Sequence, residues 1–217
     1  MTSRGPLPAM DRPDADTLLV ELSTPRDGET PDELADRIIT RGQEGPRPAG
    51  LLSLSCFAAL DGELVATISQ WTAAGPAELS MAGTLPPQGE PARLRFRLHR
   101  AAPPDPTRSP ACFNLVIRPS TGHRPARDFV DSLLARSSSL AELNQPITGS
   151  FHIGVDGKST LLYSEWETKQ EHDEHMETMR HTMADLYQGL PAPLSVHQYR
   201  HCRSLENPRP AQEVPGP

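Results

Sequence analysis

Alternating apolar and polar residues at 150–155 and 159–166 predict two β-strands. Between them stands Asp156-Gly157, a dipeptide that favours a two-residue hairpin turn. The pattern then changes to helical spacing over 168–187. This stretch therefore predicts a hairpin followed by an amphipathic helix.

The same hairpin pattern occurs 95 positions earlier, at 54–71, around Asp61-Gly62. Both hairpins end at a tryptophan, Trp71 and Trp166, and both carry a serine two residues before it. Four apolar helix positions recur at the same offset: Leu34, Ala35, Ile38 and Ile39 correspond to Phe129, Val130, Leu133 and Leu134. Self-similarity at one fixed offset indicates an internal repeat.

The first helix has a recognisable beginning. Thr30 stands at the N-cap, Pro31 at the first helical position and Glu33 three residues after the cap. Gly42 is the predicted stop.

Strands at 17–22, 93–99, 113–117 and 194–201 complete the pattern, with Leu94, Phe96 and Leu98 predicted to point inward. Each half therefore reads β-α-β-β-α-β, an α+β fold made of two tandem ferredoxin-like units. The predicted division is a disordered tail at 1–16, a first unit at 17–100 whose second helix near 77–82 is degenerate, a Pro-rich linker at 101–111, a second unit at 112–203 and a disordered tail at 204–217.

A four-stranded sheet with helices on one face leaves its other face bare. We expect the two units to pack these faces together as a pseudo-twofold, dimeric-type α+β barrel. The alternative is one half that exposes its face to another chain, as in a homodimer.

Composition narrows the class of protein. The formal net charge of -7 disfavours nucleic acid as a partner. Three widely spaced cysteines suit reduced thiols in a cytoplasm. No run approaches the roughly 20 apolar residues of a membrane helix, so we expect a cytoplasmic protein without a membrane partner.

Pairing across the second turn divides the hairpin into two faces. One face carries Phe151, Ile153, Thr160, Leu162, Ser164 and Trp166, and the other carries Ser150, His152, Tyr163 and Glu165. On the helix, one stripe contains His172, His175, Met176, Met179, Met183 and Leu186, with His181 pointing to water. This stripe is expected to cover Trp166, which predicts an apolar pocket with one indole and one or two imidazoles.

Three features together resemble the antibiotic biosynthesis monooxygenase family of the dimeric α+β barrel superfamily: the Asp156-Gly157 turn, the strand that ends in Trp166-Glu167, and His175 nine residues past the tryptophan. The resemblance covers roughly 17–201 as two tandem copies. It implies an oxygenase of secondary metabolism that tailors an aromatic polyketide or a related quinol or anthrone, with dioxygen as co-substrate and no obligatory cofactor. The alternatives are a reduced-flavin-dependent oxygenase that opens an angucycline ring, supplied by a flavin reductase, and a non-redox cyclase or binding protein.

The resemblance also implies roles for residues. His175 is the expected general base and Trp166 its catalytic partner in the pocket. The expected substrate-binding residues are His172, Leu162, Phe151, Met176, Met179 and Trp71, and an alternative site at the seam between the halves comprises His152 and Tyr163.

Two departures from the family pattern favour one working pocket, in the second half. The asparagine that anthrone-type members often carry four residues before the tryptophan is replaced by Thr67 and Leu162. In the first half, Ser80 stands where the second half has His175.

The sequence also bears on two other kinds of ligand, a metal ion and a flavin phosphate. His172 and His175 lie three apart without an evident third ligand, whereas zinc helices usually space their histidines four apart, so no metal site is predicted. A row of Arg93, Arg95, Arg97 and His99 is a solvated or barrel-facing surface, with a flavin phosphate as the other possibility.

Overall fold

The computed structural model of the chain describes residues 5–44, 48–73, 92–137, 145–188 and 190–206. In chain order these contain β1 (Thr17–Ser23), α1 (Pro31–Glu44), β2 (Leu51–Ala59), β3 (Val65–Trp71), β4 (Ala92–Ala102), β5 (Cys112–Pro119), α2 (His123–Ser137), β6 (Thr148–Gly154), β7 (Ser159–Trp166), α3 (Lys169–Thr182), α4 (Ala184–Tyr187) and β8 (Ser195–Glu206). The short helix expected near 77–82 lies outside the described residues.

The eight strands close into an antiparallel barrel in the order β1-β3-β2-β8-β5-β7-β6-β4. The first half contributes β4-β1-β3-β2 and the second β8-β5-β7-β6, which is the strand order of a ferredoxin-like unit in both cases. The halves join where β2 pairs with β8 and β4 with β6. The structure is therefore the α+β barrel that the sequence predicts.

Strand register follows the 95-residue offset. Thr17 pairs with Trp71 in the first half, and Cys112 pairs with Trp166 in the second. In the same way, the Ser53–Gln70 pair corresponds to Thr148–Glu165. Residues 95 positions apart in the first three strands of each half therefore occupy equivalent places in the barrel.

The second hairpin keeps its predicted register, with Ile153 opposite Thr160, but its turn differs from the prediction. A two-residue type I′ turn needs positive φ at both central residues, and among the described residues only glycines adopt positive φ. The Gly157 amide instead donates to the Gly154 carbonyl at 2.8 Å, with Gly157 at φ 73°, and Asp156 accepts from the Lys158 amide at 2.9 Å. The loop is thus four residues long and has a single left-handed position.

The barrel interior is apolar and aromatic, and the helices lie outside it. Its buried cluster includes Phe57, Phe96, Phe113, Leu161, Tyr163 and Tyr199. Among the described residues, every helix is too short or too polar to span a bilayer.

The N-terminal segment does not behave as the predicted disordered tail. Residues 5–16 pack against the barrel, where Met10 is only 7% exposed and belongs to the interior cluster, with Leu7 packed against that cluster. The side-chain amide of Gln70 also donates to the Ala9 carbonyl at 2.7 Å. The prediction is wrong for this segment because two apolar side chains are enough to cover the end of a barrel whose interior is apolar.

Two element boundaries are also corrected. The capping box of α1 forms as predicted, with the Thr30 amide 2.8 Å from a Glu33 carboxylate oxygen, but the helix continues past Gly42 to Glu44. β8 continues to Glu206 because β2 supplies a pairing partner through Ser53, so the predicted tail at 204 starts too early. Residues 207–217 lie outside the described residues.

Two local irregularities also differ from the sequence pattern. Leu98 is 42% exposed rather than buried, and the register of β4 against β6 shifts directly after it, between Leu98 and Arg100. The helix expected over 168–187 is interrupted at Met183, whose ψ of 20° leaves helical geometry while its side chain is fully buried.

Candidate functional site

A cavity of about 520 Å³ lies between the outer face of β5, β6 and β7 and the helices α2 and α3. Its walls are mainly apolar and include Val116, Phe129, Val130, Leu133, Phe151, Leu162 and Met179. Its polar lining includes Asn114, Ser164, His172 and His175 around Trp166. A mostly apolar pocket with a few convergent polar groups is the usual form of a small-molecule site.

Seven of the residues expected at the site line this cavity: Phe151, Leu162, Trp166, His172, His175, Met176 and Met179. Trp71 does not line it and packs with Leu19 and Leu51 in the first half. His152 and Tyr163 belong to the opposite face of the sheet and are buried inside the barrel.

Trp166 is held between two imidazoles and is 2% exposed. Its ring centroid lies 4.9 Å from that of His175 and 5.4 Å from that of His172, with the His172 ring nearly perpendicular at 85°. The indole N–H donates to Ser164 Oγ at 2.9 Å, which fixes the ring against the sheet. The first half makes the same bond between Trp71 and Ser69 at 2.8 Å, so the repeated serine has a structural reason.

His172 and His175 reach the indole because they lie one turn apart on one face of α3. Thr168 caps this helix, accepting from the Glu171 amide at 3.1 Å. Burial lowers the pKa of His172, and its Nδ1 lies 2.6 Å from the side-chain nitrogen of Gln198 on β8. The Nε2 atom of His172 is buried and has no hydrogen-bond partner among the described residues.

Asn114 is a site residue that sequence reasoning missed. It lies on β5 directly opposite Ser164, is 2% exposed and lines the cavity. Its Oδ1 is buried without a hydrogen-bond partner among the described residues. The sequence feature that could have identified it is its place in the otherwise apolar run Cys112–Ile117, where the first half has Leu19 at the equivalent position.

In the described part of the first half, apolar side chains pack on the equivalent outer face. Leu19 and Leu51 contact Trp71, and the α1 residues Leu34, Ala35 and Ile39 pack directly on β2 and β3 through Cys56 and Val65. The two halves share a backbone plan but differ in what fills the space between helix and sheet.

The proposed seam residues lie in a closed environment. His152 is 1% exposed, burial lowers its pKa to about 3, and its Nε2 lies 2.9 Å from Ser150 Oγ. The Tyr163 hydroxyl donates to Glu165 at 2.7 Å, and burial raises the pKa of both groups. These side chains face the barrel interior, away from the cavity.

Three residues of the basic row on β4 lie close to carboxylates. Arg93 lies 2.8 Å from Glu21, Arg97 lies 3.2 Å from Asp16, and His99 lies 3.0 Å from Asp131. This row does not line the cavity.

No protein-family model and no curated protein match the sequence. Among solved structures, the chain is similar to an anthrone oxidase-like protein, with 12% identity, a TM-score of 0.64 and coverage of 89% of this chain and 94% of that one. It is also similar to a candidate monooxygenase from Lactobacillus acidophilus NCFM, with 10% identity, a TM-score of 0.53 and coverage of 88% and 96%. A candidate monooxygenase from Fusobacterium nucleatum subsp. nucleatum gives 8% identity, a TM-score of 0.55 and coverage of 90% and 96%. The chain therefore has the ferredoxin-like α+β barrel fold of these monooxygenase-like proteins.

Proposed function

We propose that the protein is an oxygenase that acts on a flat, electron-rich aromatic molecule, such as a polyketide quinol or anthrone, with dioxygen as the oxidant. The observation that carries this proposal is the Trp166 indole between His172 and His175, in the lining of a cavity of about 520 Å³ with apolar walls. The shared fold with an anthrone oxidase-like protein makes the reaction class a reasonable one to test.

The walls of the cavity suit a planar aromatic. Trp166 provides a ring for offset or edge-to-face contact, which stabilises aromatic pairs beyond the area they bury. Met176 and Met179 on α3 are flexible and polarizable, so they adapt to the outline of a ring system. Phe151 and Leu162 form the opposite, sheet-side wall.

His175 is the proposed general base. A phenolic hydroxyl next to its imidazole would lose its proton, and the resulting anion is a better electron donor to dioxygen than the neutral phenol. In the oxidation of an anthrone, one ring CH₂ becomes a carbonyl. One oxygen atom enters the product, the other leaves as water, and the substrate supplies the electrons. His152 is not a candidate for this role, because it faces the barrel interior and burial lowers its pKa to about 3.

Asn114 is proposed to hold a substrate oxygen. Its amide is buried in the cavity wall with its Oδ1 unpaired among the described residues. Buried polar atoms in native proteins are nearly always hydrogen-bonded, so such an amide is suited to a ligand. An asparagine on β5 would then supply the amide that anthrone-type members carry before the tryptophan.

The proposed reaction needs no bound cofactor. The basic row does not support a flavin phosphate site in the cavity, because Arg93 and Arg97 are ion-paired with carboxylates and none of the four residues lines the cavity. A reduced flavin delivered by a separate reductase is therefore tested as an added reagent.

The experiment is oxygen uptake and product analysis with a panel of anthrones and angucyclines, aerobically and anaerobically, with and without a flavin reductase system. We expect aerobic oxidation of at least one anthrone without flavin. His175→Ala should lower kcat/KM by about 10²–10⁴-fold, the usual cost of losing a general base. Trp166→Phe should mainly raise KM, because a smaller ring still stacks.

The matched control is His181→Ala on the same helix, whose side chain is largely exposed to water. It should retain wild-type kinetics, and circular dichroism should show all three variants folded. A folded His175→Ala protein with wild-type turnover would remove His175 from the mechanism. No oxidation of any compound, with or without flavin, would favour a non-redox cyclase or binding protein on the same fold.

A further inference from the structure

Gln198 on β8 makes two short contacts at the edge of the site. Its side-chain nitrogen lies 2.5 Å from Asp173 Oδ1 and 2.6 Å from His172 Nδ1. Asp173 is also hydrogen-bonded by Lys169, which is the main reason its pKa is lowered to about 2. An ionised carboxylate only accepts hydrogen bonds. The amide must therefore turn its NH₂ group, and not its oxygen, toward Asp173.

This orientation decides the tautomer of His172. With both N–H bonds of Gln198 used as donors, Nδ1 of His172 must accept, and a neutral imidazole then carries its single proton on Nε2. The remaining contact, from Asp173 Oδ1 to Nδ1, is 3.3 Å. A hydrogen bond from His172 to Asp173 through this longer contact would need the proton on Nδ1. That proton would then point at an N–H group of the Gln198 amide.

The protonated nitrogen has no partner among the described residues. His172 Nε2 is buried in the wall that also contains Trp166 and Asn114. A donor in that position is unfavourable unless something accepts from it. This tautomer places a buried Nε2–H group in the cavity lining, where it can donate to an oxygen atom of a ligand.

We propose that Gln198 is a positioning residue, which holds His172 as an Nε2–H donor to an oxygen atom of the bound aromatic ligand. The identity of that ligand rests on the proposed function. The two histidines then have separate tasks: His172 donates to a carbonyl or phenolate oxygen, and His175 takes the proton.

The position of Gln198 in the sheet supports this role. Asn114 on β5 pairs with Ser164 on β7 and with Gln198 on β8, so the three polar side chains form one row across neighbouring strands. Ser164 holds Trp166, Gln198 holds His172, and Asn114 between them lines the cavity. The corresponding row of the first half contains Ser69, Leu19 and Arg95, which lacks both amides.

The test is the tautomer of His172 in the full-length protein, read from long-range ¹H–¹⁵N correlation spectra of the imidazole at neutral pH. Wild type should show the Nε2–H form. In Gln198→Leu, Asp173 remains as the acceptor near Nδ1, so the signal should change to the Nδ1–H form. The control is Gln170→Leu, which removes an exposed amide that bonds Glu174 on the same helix and should leave the His172 signal unchanged.

A binding measurement tests whether the tautomer of His172 affects recognition of the ligand. Wild type should bind an anthraquinone probe more tightly than anthracene, and Gln198→Leu should lose about 3- to 10-fold of that preference, the usual scale of one hydrogen bond. An Nδ1–H or doubly protonated His172 in wild type, or an unchanged tautomer in Gln198→Leu, would overturn the inference. Because the spectra do not depend on turnover, a protein that oxidises nothing yet shows the expected tautomers would refute the proposed oxygenase and leave the role of Gln198 standing.

Discussion

His152 makes the stability of the barrel depend on pH. It is buried in the barrel wall, and burial lowers its pKa from 6.5 to about 3. The folded protein therefore keeps this imidazole neutral at pH values where the unfolded chain binds a proton. Its contribution to stability is fully present above pH 6.5 and is lost progressively as the pH falls toward 3.

The size of the effect follows from proton linkage. Between pH 7 and pH 4.5 the unfolded chain takes up most of one proton at this residue and the folded protein almost none, which lowers the unfolding free energy by about 2–3 kcal/mol. The variant His152→Phe removes the titrating group and introduces the residue that the first half has at the equivalent position, Phe57. Wild type should therefore lose about 2–3 kcal/mol more than His152→Phe over this pH interval.

The measurement is urea unfolding at several pH values, followed by tryptophan fluorescence and circular dichroism. Other groups also titrate, so the relevant quantity is the difference in pH dependence between the two proteins. His181→Gln, which alters an exposed imidazole, should show the pH dependence of wild type. An identical loss of stability in wild type and His152→Phe would refute the reasoning, because it would mean that His152 takes up a proton in the folded barrel as readily as in the unfolded chain.

Two further predictions concern packing. Met10→Ala should lower the unfolding free energy by about 2–4 kcal/mol, as for other buried methionines, whereas Leu190→Ala at an exposed position should have little effect. If urea unfolding shows equally small effects for both variants, the N-terminal segment does not pack in solution. Ser164→Ala should weaken binding of the anthraquinone probe, because the Trp166 indole loses its hydrogen bond, whereas Ser69→Ala should lower stability by a similar amount without affecting that binding. Titration calorimetry measures the binding and thermal melts measure the stability. An equal loss of binding in both variants would contradict the assignment of the cavity to the second half.

Much of the fold and part of the candidate site could be predicted from short-range sequence patterns. Strand residues alternate between two faces, and paired positions share a face, so a turn at Asp156-Gly157 was enough to separate Trp166 from Tyr163. Helical spacing likewise put His172 and His175 on one face of α3. The constant offset predicted two equivalent halves, and the strand register of both follows it. These properties depend only on neighbours within an element or across one turn.

Other features depend on contacts between residues far apart in the chain, and no local pattern contains them. Asn114 and Gln198 become part of the site because β5 lies between β7 and β8, a neighbourhood set by barrel closure. Met10 packs because the barrel presents an apolar end for it to cover. Whether a tryptophan faces a cavity or a filled core depends on the volumes of the side chains above it. Trp71 and Trp166 both end a hairpin and both donate to the serine two residues earlier, yet among the described residues Trp71 packs with Leu19 and Leu51 while Trp166 lines the cavity.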